Sequence, residues 1–150
     1  MQVFEMQIKS IDVEKIRPLR HSELRQGQDF STSSYLRDND IDTFHMAISI
    51  ESKAQCIATF YPEKMEGVYS RKSYRLRGMA THPNFRRKGL GKDLMQSAFI
   101  HLLQQQADLL WCKARLVAVP FYRSLGFQII GEQYEIEGIG PHYNMYKLLT

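Results

Sequence analysis

Cysteine is scarce in this chain: only Cys56 and Cys112 occur in 150 residues, each inside an apolar, strand-like run. Two isolated cysteines give neither a disulfide framework nor a metal-ligand spacing, so buried thiols in a reducing compartment are expected, with no metal. Long hydrophobic runs are also missing. No segment approaches the roughly 20 apolar residues that a membrane helix needs, and the first residues alternate apolar with polar instead of following a signal-peptide pattern. A soluble, cytoplasmic protein without a membrane partner is the expectation. Internal repeats, low-complexity tracts and Pro/Gly/Ser-rich linkers are absent as well, which points to one continuous domain over residues 1–150.

What is present suffices for one substantial core, since 43% of the residues are hydrophobic. The net charge is only +4 but is unevenly placed. Residues 71–92 hold eight Lys or Arg and no acid, whereas acids gather at Asp38, Asp40 and Asp42 and again at Glu132, Glu135 and Glu137. Such a distribution suits an anionic ligand held by the middle of the chain and a cationic one met at its flanks.

Residues 1–9 read as a strand. Val13, Ile16, Leu19 and Leu24 recur at helical spacing, with Asp12 as N-cap and Gly27 as a stop, although Pro18 interrupts the pattern. Residues 29–42 are polar and loop-like. Strands are expected over 43–50 and 55–61, joined as a hairpin, and over 75–81, ended by His82-Pro83-Asn84. Leu90, Leu94, Met95, Ala98, Phe99, Leu102 and Leu103 then mark one helical stripe. A strand over 109–114, a short helix over 119–124 closed by Gly126, and strands over 127–130 and 143–148 complete a mixed sheet.

Between the fourth strand and the long helix lies Arg86-Arg87-Lys88-Gly89-Leu90-Gly91-Lys92. Helix N-termini attract phosphates through unpaired N–H groups and the positive end of the helix dipole. Gly89 and Gly91 let a ligand approach the backbone, and Arg86, Arg87, Lys88 and Lys92 add charge. Two other phosphate motifs fail. A P-loop needs Gly where Arg86 stands and Ser or Thr where Asp93 stands; a dinucleotide fingerprint needs a third Gly where Leu94 stands.

Arg86-x-x-Gly89-x-Gly91 after a His-Pro turn resembles the acetyl-coenzyme A signature of the GNAT N-acetyltransferase superfamily. Ala118-x-x-x-Tyr122-Arg123-Ser124-Leu125-Gly126-Phe127 is similar to a second landmark of that family. Leu76-Arg77-Gly78-Met79-Ala80-Thr81, Trp111-Cys112-Lys113-Ala114-Arg115 and Gly138-Ile139-Gly140-Pro141-His142 further resemble a little-characterised bacterial branch, which brings no substrate with it. The resemblance implies an α/β (α+β) GNAT fold, a mixed central sheet of six to seven strands flanked by about four helices. It also implies acetyl-coenzyme A as cosubstrate and direct transfer of the acetyl group to a primary amine, carried by a small molecule or a peptide.

By the same resemblance, residues 86–92 would hold the cofactor phosphates, and the backbone of Met79, Ala80 and Thr81 its pantetheine arm, with Gly78 supplying a bulge. Tyr122 would be the general acid, protonated at neutral pH. For the general base the strand before the loop offers no acid, which leaves His142, Glu23, Glu137 or a water chain. Arg17, Arg20 and Arg25 could meet an acceptor carboxylate or form a solvated face. His45, His82 and His101 read as structural. Lys113 and Arg115 stand where relatives often carry Asn, which puts cofactor contacts from that segment in doubt. Family members often pair as dimers, and the terminal strands would be the contact surfaces. A non-catalytic acetyl-coenzyme A sensor keeps the same fold. A nucleic-acid-binding module is the weaker alternative: basic residues lie beside aromatics, without a recognition-helix or stacking pattern.

Overall fold

The structure, a computed structural model, describes residues 6–150, with side chains from Ser10 onward. The expectation of a strand over residues 1–9 is met by β1 (Met6–Ser10); its first five residues lie outside the described part. The chain forms two compact units, one holding the chain up to Tyr61 with Gly78–His101, the other Pro62–Arg77 with Leu102–Thr150.

In the first unit, α1 (Val13–Leu24) starts where Asp12 accepts a hydrogen bond from the Glu14 N–H at 2.8 Å. Pro18 lies within α1 and does not end it. The helix lays Ile16 and Leu19 on Ala47 and Ile57. Those two belong to β2 (Phe44–Ile50) and β3 (Lys53–Pro62), an antiparallel hairpin whose turn residues Glu51 and Ser52 both have positive φ, 51° and 70°. β1 adds antiparallel to β2. The later residues of β4 (Ser73–Thr81) and the start of α2 (Leu90–Gln104) complete this unit.

In the second unit the beginning of β4 pairs in parallel with β5 (Leu109–Arg115) over three positions only, Ser73↔Leu109 to Arg75↔Trp111. β5 continues antiparallel to β7 (Gly140–Leu148), which pairs on its other side with β6 (Gln128–Ile136). α3 (Val119–Ser124) has the bounds that the sequence suggests. Met65, Leu109 and Trp111 form a core cluster here, and the Trp111 indole N–H donates to the Glu63 carbonyl at 2.9 Å.

The sheet is therefore mixed and seven-stranded. Among the described residues three α-helices and three single 3₁₀ turns accompany it, against the expected four or so helices. The polar stretch after α1 makes only the 3₁₀ turn Phe30–Ser33, because it carries too few apolar residues at helical spacing. Within α2 the stripe from Leu90 to Leu102 is buried as expected, but Leu103 is 41% exposed. β6 runs beyond the expected residue 130, because a register shift between Ile130 and Tyr134, with Gly131 at φ 82°, lets pairing resume after the alternation breaks.

Candidate active site

The loop before α2 is built from local bonds. The His82 N–H donates to the Gln55 carbonyl at 2.8 Å, and His82 Nδ1 accepts from the Asn84 N–H at 3.1 Å, capping the 3₁₀ turn Pro83–Phe85. Arg87 and Gly89 take positive φ, 61° and 79°. The Asp93 N–H to Gly89 carbonyl bond, 3.0 Å, opens the helix, and buried Leu90 anchors it. The N–H groups of Leu90, Gly91 and Lys92 precede any intrahelical acceptor. An ideal Cβ on Gly89 would meet nothing within 4 Å, so the space before those groups is open. Arg87, Lys88 and Lys92 are exposed, and among the described residues no carboxylate pairs with them. Arg86 differs: its Nη2 donates to Glu23 at 2.8 Å and its Nε to the Thr81 carbonyl at 3.1 Å.

Met79, Ala80 and Thr81 are half-buried on β4. The Thr81 hydroxyl donates to Cys56 Sγ at 3.3 Å, and burial pushes the Cys56 thiol up to about 11. Gly78 has φ 68°, a left-handed backbone that glycine adopts without cost. It lies under Tyr35: an ideal Cβ would stand 3.0 Å from Tyr35 Cε2. The Tyr35 ring is covered in turn by Arg20, whose Cζ is 3.8 Å from the ring centroid.

Arg20 is 0% exposed, so it belongs neither to a solvated helix face nor to an acceptor surface. It makes a two-pronged bond to Asp38 at 2.7 and 3.1 Å and donates to the Ser33 carbonyl and the Thr59 hydroxyl. Asp38, one of the acids on the expected cation-facing flank, is thus a buried counter-ion. Arg17 lies over Phe30 and pairs with Glu14, and Arg25 lies 5.1 Å from the Tyr35 ring centroid.

Tyr122 and His142 are in the second unit. Tyr122 is 8% exposed and packs against Phe121 and Phe127, each with ring centroids 5.2 Å away. Burial, aided by nearby Cys112, raises its phenol well above the ordinary value, so it is protonated at any physiological pH. The Cys112 thiol is also raised by burial. His142, 4% exposed, has Nδ1 2.8 Å from the Gly140 carbonyl. In the neutral ring Nδ1–H donates to that carbonyl, which leaves Nε2 a lone pair. Glu137 is exposed in the β6–β7 turn. Glu23 is engaged by Arg86 and by the Ser22 hydroxyl at 3.0 Å.

Residues 27–149 match the acetyltransferase (GNAT) domain. The chain belongs to this family. It is 33% identical over 144 residues to the uncharacterised N-acetyltransferase YitI of Bacillus subtilis, covering 96% of this chain and 97% of that protein. Its fold is similar to that of an aminoglycoside 6'-N-acetyltransferase crystallised with coenzyme A, with TM-score 0.78, 12% identity, and 96% and 97% of the two chains covered. The ribosomal-protein-S18-alanine N-acetyltransferase of Escherichia coli gives TM-score 0.74 at 17% identity, with 97% and 95% covered.

This GNAT protein is accordingly an acyltransferase that uses acetyl-coenzyme A. The residues present fit such a cosubstrate. Open space at Gly89 before free N–H groups, with three cations beside it that have no ion-pair partner among the described residues, suits a pyrophosphate. Sequence reasoning missed the Arg20–Asp38 pair and the Glu23–Arg86 bond. A signal for the first exists: Arg20 follows Ile16 by four residues and so shares its apolar face, where a charge needs a buried partner. Nothing local marks the second, whose partners are 63 residues apart.

Proposed function

We propose that this GNAT enzyme is a single catalytic domain that transfers an acetyl group directly to the primary amine of a small molecule or peptide. The observation that carries the reading is the start of α2, where free N–H groups meet Arg87, Lys88 and Lys92, none of them ion-paired to the Asp93 carboxylate of the same turn or to another among the described residues. In this reading Gly89, Leu90, Gly91 and Lys92 bind phosphate oxygens through backbone N–H groups. Arg87 and Lys88 add charge from the side, and Arg86 braces the loop while facing the same anion. Met79, Ala80 and Thr81 lie beyond the three positions of β4 that pair with β5, which supports a role for their backbone in holding the cosubstrate's arm.

When bound, acetyl-coenzyme A supplies an acetyl group activated as a thioester. Tyr122 keeps a proton on Oη, which suits it to hydrogen-bond and protonate a leaving thiolate. His142, with Nε2 available, accepts the proton of the amine in this reading. The match over residues 27–149 spans both compact units, in support of one domain. Among the described residues no helix is long and apolar enough to cross a membrane. Two free buried thiols support a reducing, cytoplasmic setting, the similarity to YitI of Bacillus subtilis supports a bacterial one, and edge strand β6 is the surface we assign to pairing of two copies. A nucleic-acid role loses support because the basic band is broken up by carboxylates: Asp108 pairs with Arg71, Glu63 with Arg75, and Glu23 with Arg86.

Calorimetric binding of acetyl-coenzyme A, with and without Gly89→Asp and Gly91→Asp together, tests the cofactor site. Loss of binding in the variant is expected; absence of binding to the folded wild type would overturn the proposal. Tyr122→Phe should lower turnover while leaving cofactor affinity nearly unchanged.

A further inference from the structure

A cavity of about 650 Å³ opens in the first unit between α1, the β2–β3 hairpin and the turn Pro83–Phe85. Its size lies in the range typical of small-molecule sites, about 300–1,000 Å³. Pro18, Leu19 and Phe85 give it apolar walls. Lys15, Lys53 and His82 also line it, and no Asp or Glu does. Among the described residues neither lysine has an ion-pair partner. Because His82 Nδ1 accepts from the Asn84 N–H, the neutral ring carries its proton on Nε2 and offers a second donor, not an acceptor. The lining is therefore apolar with donors and positive charge, and it lacks the carboxylate that a cationic amine would require.

The backbone ties the walls of this cavity together. At its rim, Glu51 and Ser52 form the two-residue turn that closes the hairpin between Ile50 and Lys53, and both take the positive φ that such a tight turn requires. Next to the turn, the register between β2 and β3 shifts so that Ile48 faces Cys56 while Ser49 faces Ala54. The extra residue, Gln55, gives its carbonyl to the His82 N–H. The bulge thus fastens the hairpin to the turn that forms the opposite wall.

We propose that this cavity is a second ligand site, separate from the start of α2, for a small organic anion: a carboxylate, phosphate or sulfonate on an apolar body, its charge met by Lys15 and Lys53. Glu23 belongs to α1, and Arg86 follows Phe85 directly, so a ligand seated here touches both supports of the Glu23–Arg86 bond. Occupancy would therefore be felt at the phosphate loop, and by linkage the coupling is reciprocal.

Anilinonaphthalene sulfonate, an apolar body with one anionic group, is a suitable probe. Its fluorescence is titrated against the full chain, alone and with saturating coenzyme A, for the wild type, for Lys15→Glu with Lys53→Glu, and for Ala54→Trp, which fills the cavity. One saturable site is expected that persists with coenzyme A, weakens about tenfold or more in the charge-reversed pair, and is lost in Ala54→Trp. Benzoate and phenyl phosphate as competitors tell carboxylate from phosphate preference. Non-saturable binding, unchanged affinity in both variants, or complete displacement of the dye by coenzyme A would overturn the proposal. Both lysines are exposed, so the charge-reversed pair should melt as the wild type does; if it does not, Ala54→Trp decides. The titration without coenzyme A tests the cavity whether or not the phosphate loop proves to be the cofactor site.

Discussion

The carboxylate of Glu23 holds the guanidinium of Arg86 at 2.8 Å, so the first residue of the proposed phosphate loop is tied to α1 instead of standing free for a ligand. Arg86 is 55% exposed at its side chain and Glu23 13%. The Arg86 end of the pair is open to water, where such pairs contribute about 0.2–1 kcal/mol, a Gln at position 23 can still accept from Arg86, and the Arg86 Nε bond to Thr81 survives loss of the Glu23 charge. Glu23→Gln should therefore leave thermal stability nearly unchanged. The freed charge should tighten acetyl-coenzyme A binding by up to about fivefold at low salt, with a steeper salt dependence. Calorimetry at two ionic strengths checks this; weaker binding would show that Glu23 mainly positions Arg86.

Gly78 carries two constraints at once, a left-handed backbone and a ring 3.0 Å from where a Cβ would stand. Gly27 has a similar φ of 79° but open space around it. Gly27→Ala should cost about 1–2 kcal/mol from the backbone alone, and Gly78→Ala clearly more, because Tyr35 is backed by Arg20 and cannot retreat. Urea unfolding of both variants measures the difference. Equal costs would mean that Tyr35 gives way freely.

Breaking the Arg20–Asp38 pair should be severe. Asp38→Ala leaves a guanidinium without its counter-ion in a site with 0% exposure, at a cost of about 3–5 kcal/mol. Arg20→Met combined with Asp38→Ala should recover a good part of that loss, since the unpaired charge goes too. A double variant as unstable as Asp38→Ala alone would assign the cost to lost hydrogen bonds instead.

His45 gives this unit a pH dependence. Its Nδ1 is 2.8 Å from the Thr59 hydroxyl and its Nε2 3.0 Å from the Asp38 carbonyl. Burial lowers its pKa below the ordinary 6.5 and prevails over the opposing pull of the Asp38 carbonyl and carboxylate, while Arg20 lowers it further. Between the lowered and the ordinary value the unfolded chain binds more protons than the folded one. Stability should therefore fall as pH drops through about 6.5 and stop falling on this account below the folded value. His45→Gln should flatten that part of the profile in denaturant melts; an unchanged slope would place its origin elsewhere.

Elements with a strong local pattern were legible in advance. Asp12 caps α1, Leu90 to Leu102 forms the buried stripe of α2, and α3 runs from Val119 to Ser124, with Gly126 just past its end. The loop conformation before α2 was legible too, since residues 86–92 are contiguous, with Gly89 at positive φ and a helix that starts at Leu90. β6 was read too short because its residues beyond 130 alternate imperfectly around Gly131. That strand is held by pairing with β7, which local pattern does not report.

By itself, then, the sequence determined the mixed fold, the family and the basic, glycine-bearing run just before α2, all properties of residues near one another in the chain. Only the tertiary structure decided which charges are free. It buried Arg20 against Asp38, gave Arg86 to Glu23, turned His142 to its own backbone and opened a cavity walled by three separate segments. The reason is physical: a side chain's charge is set by its type, but what it costs or binds depends on the water and partners that packing leaves around it.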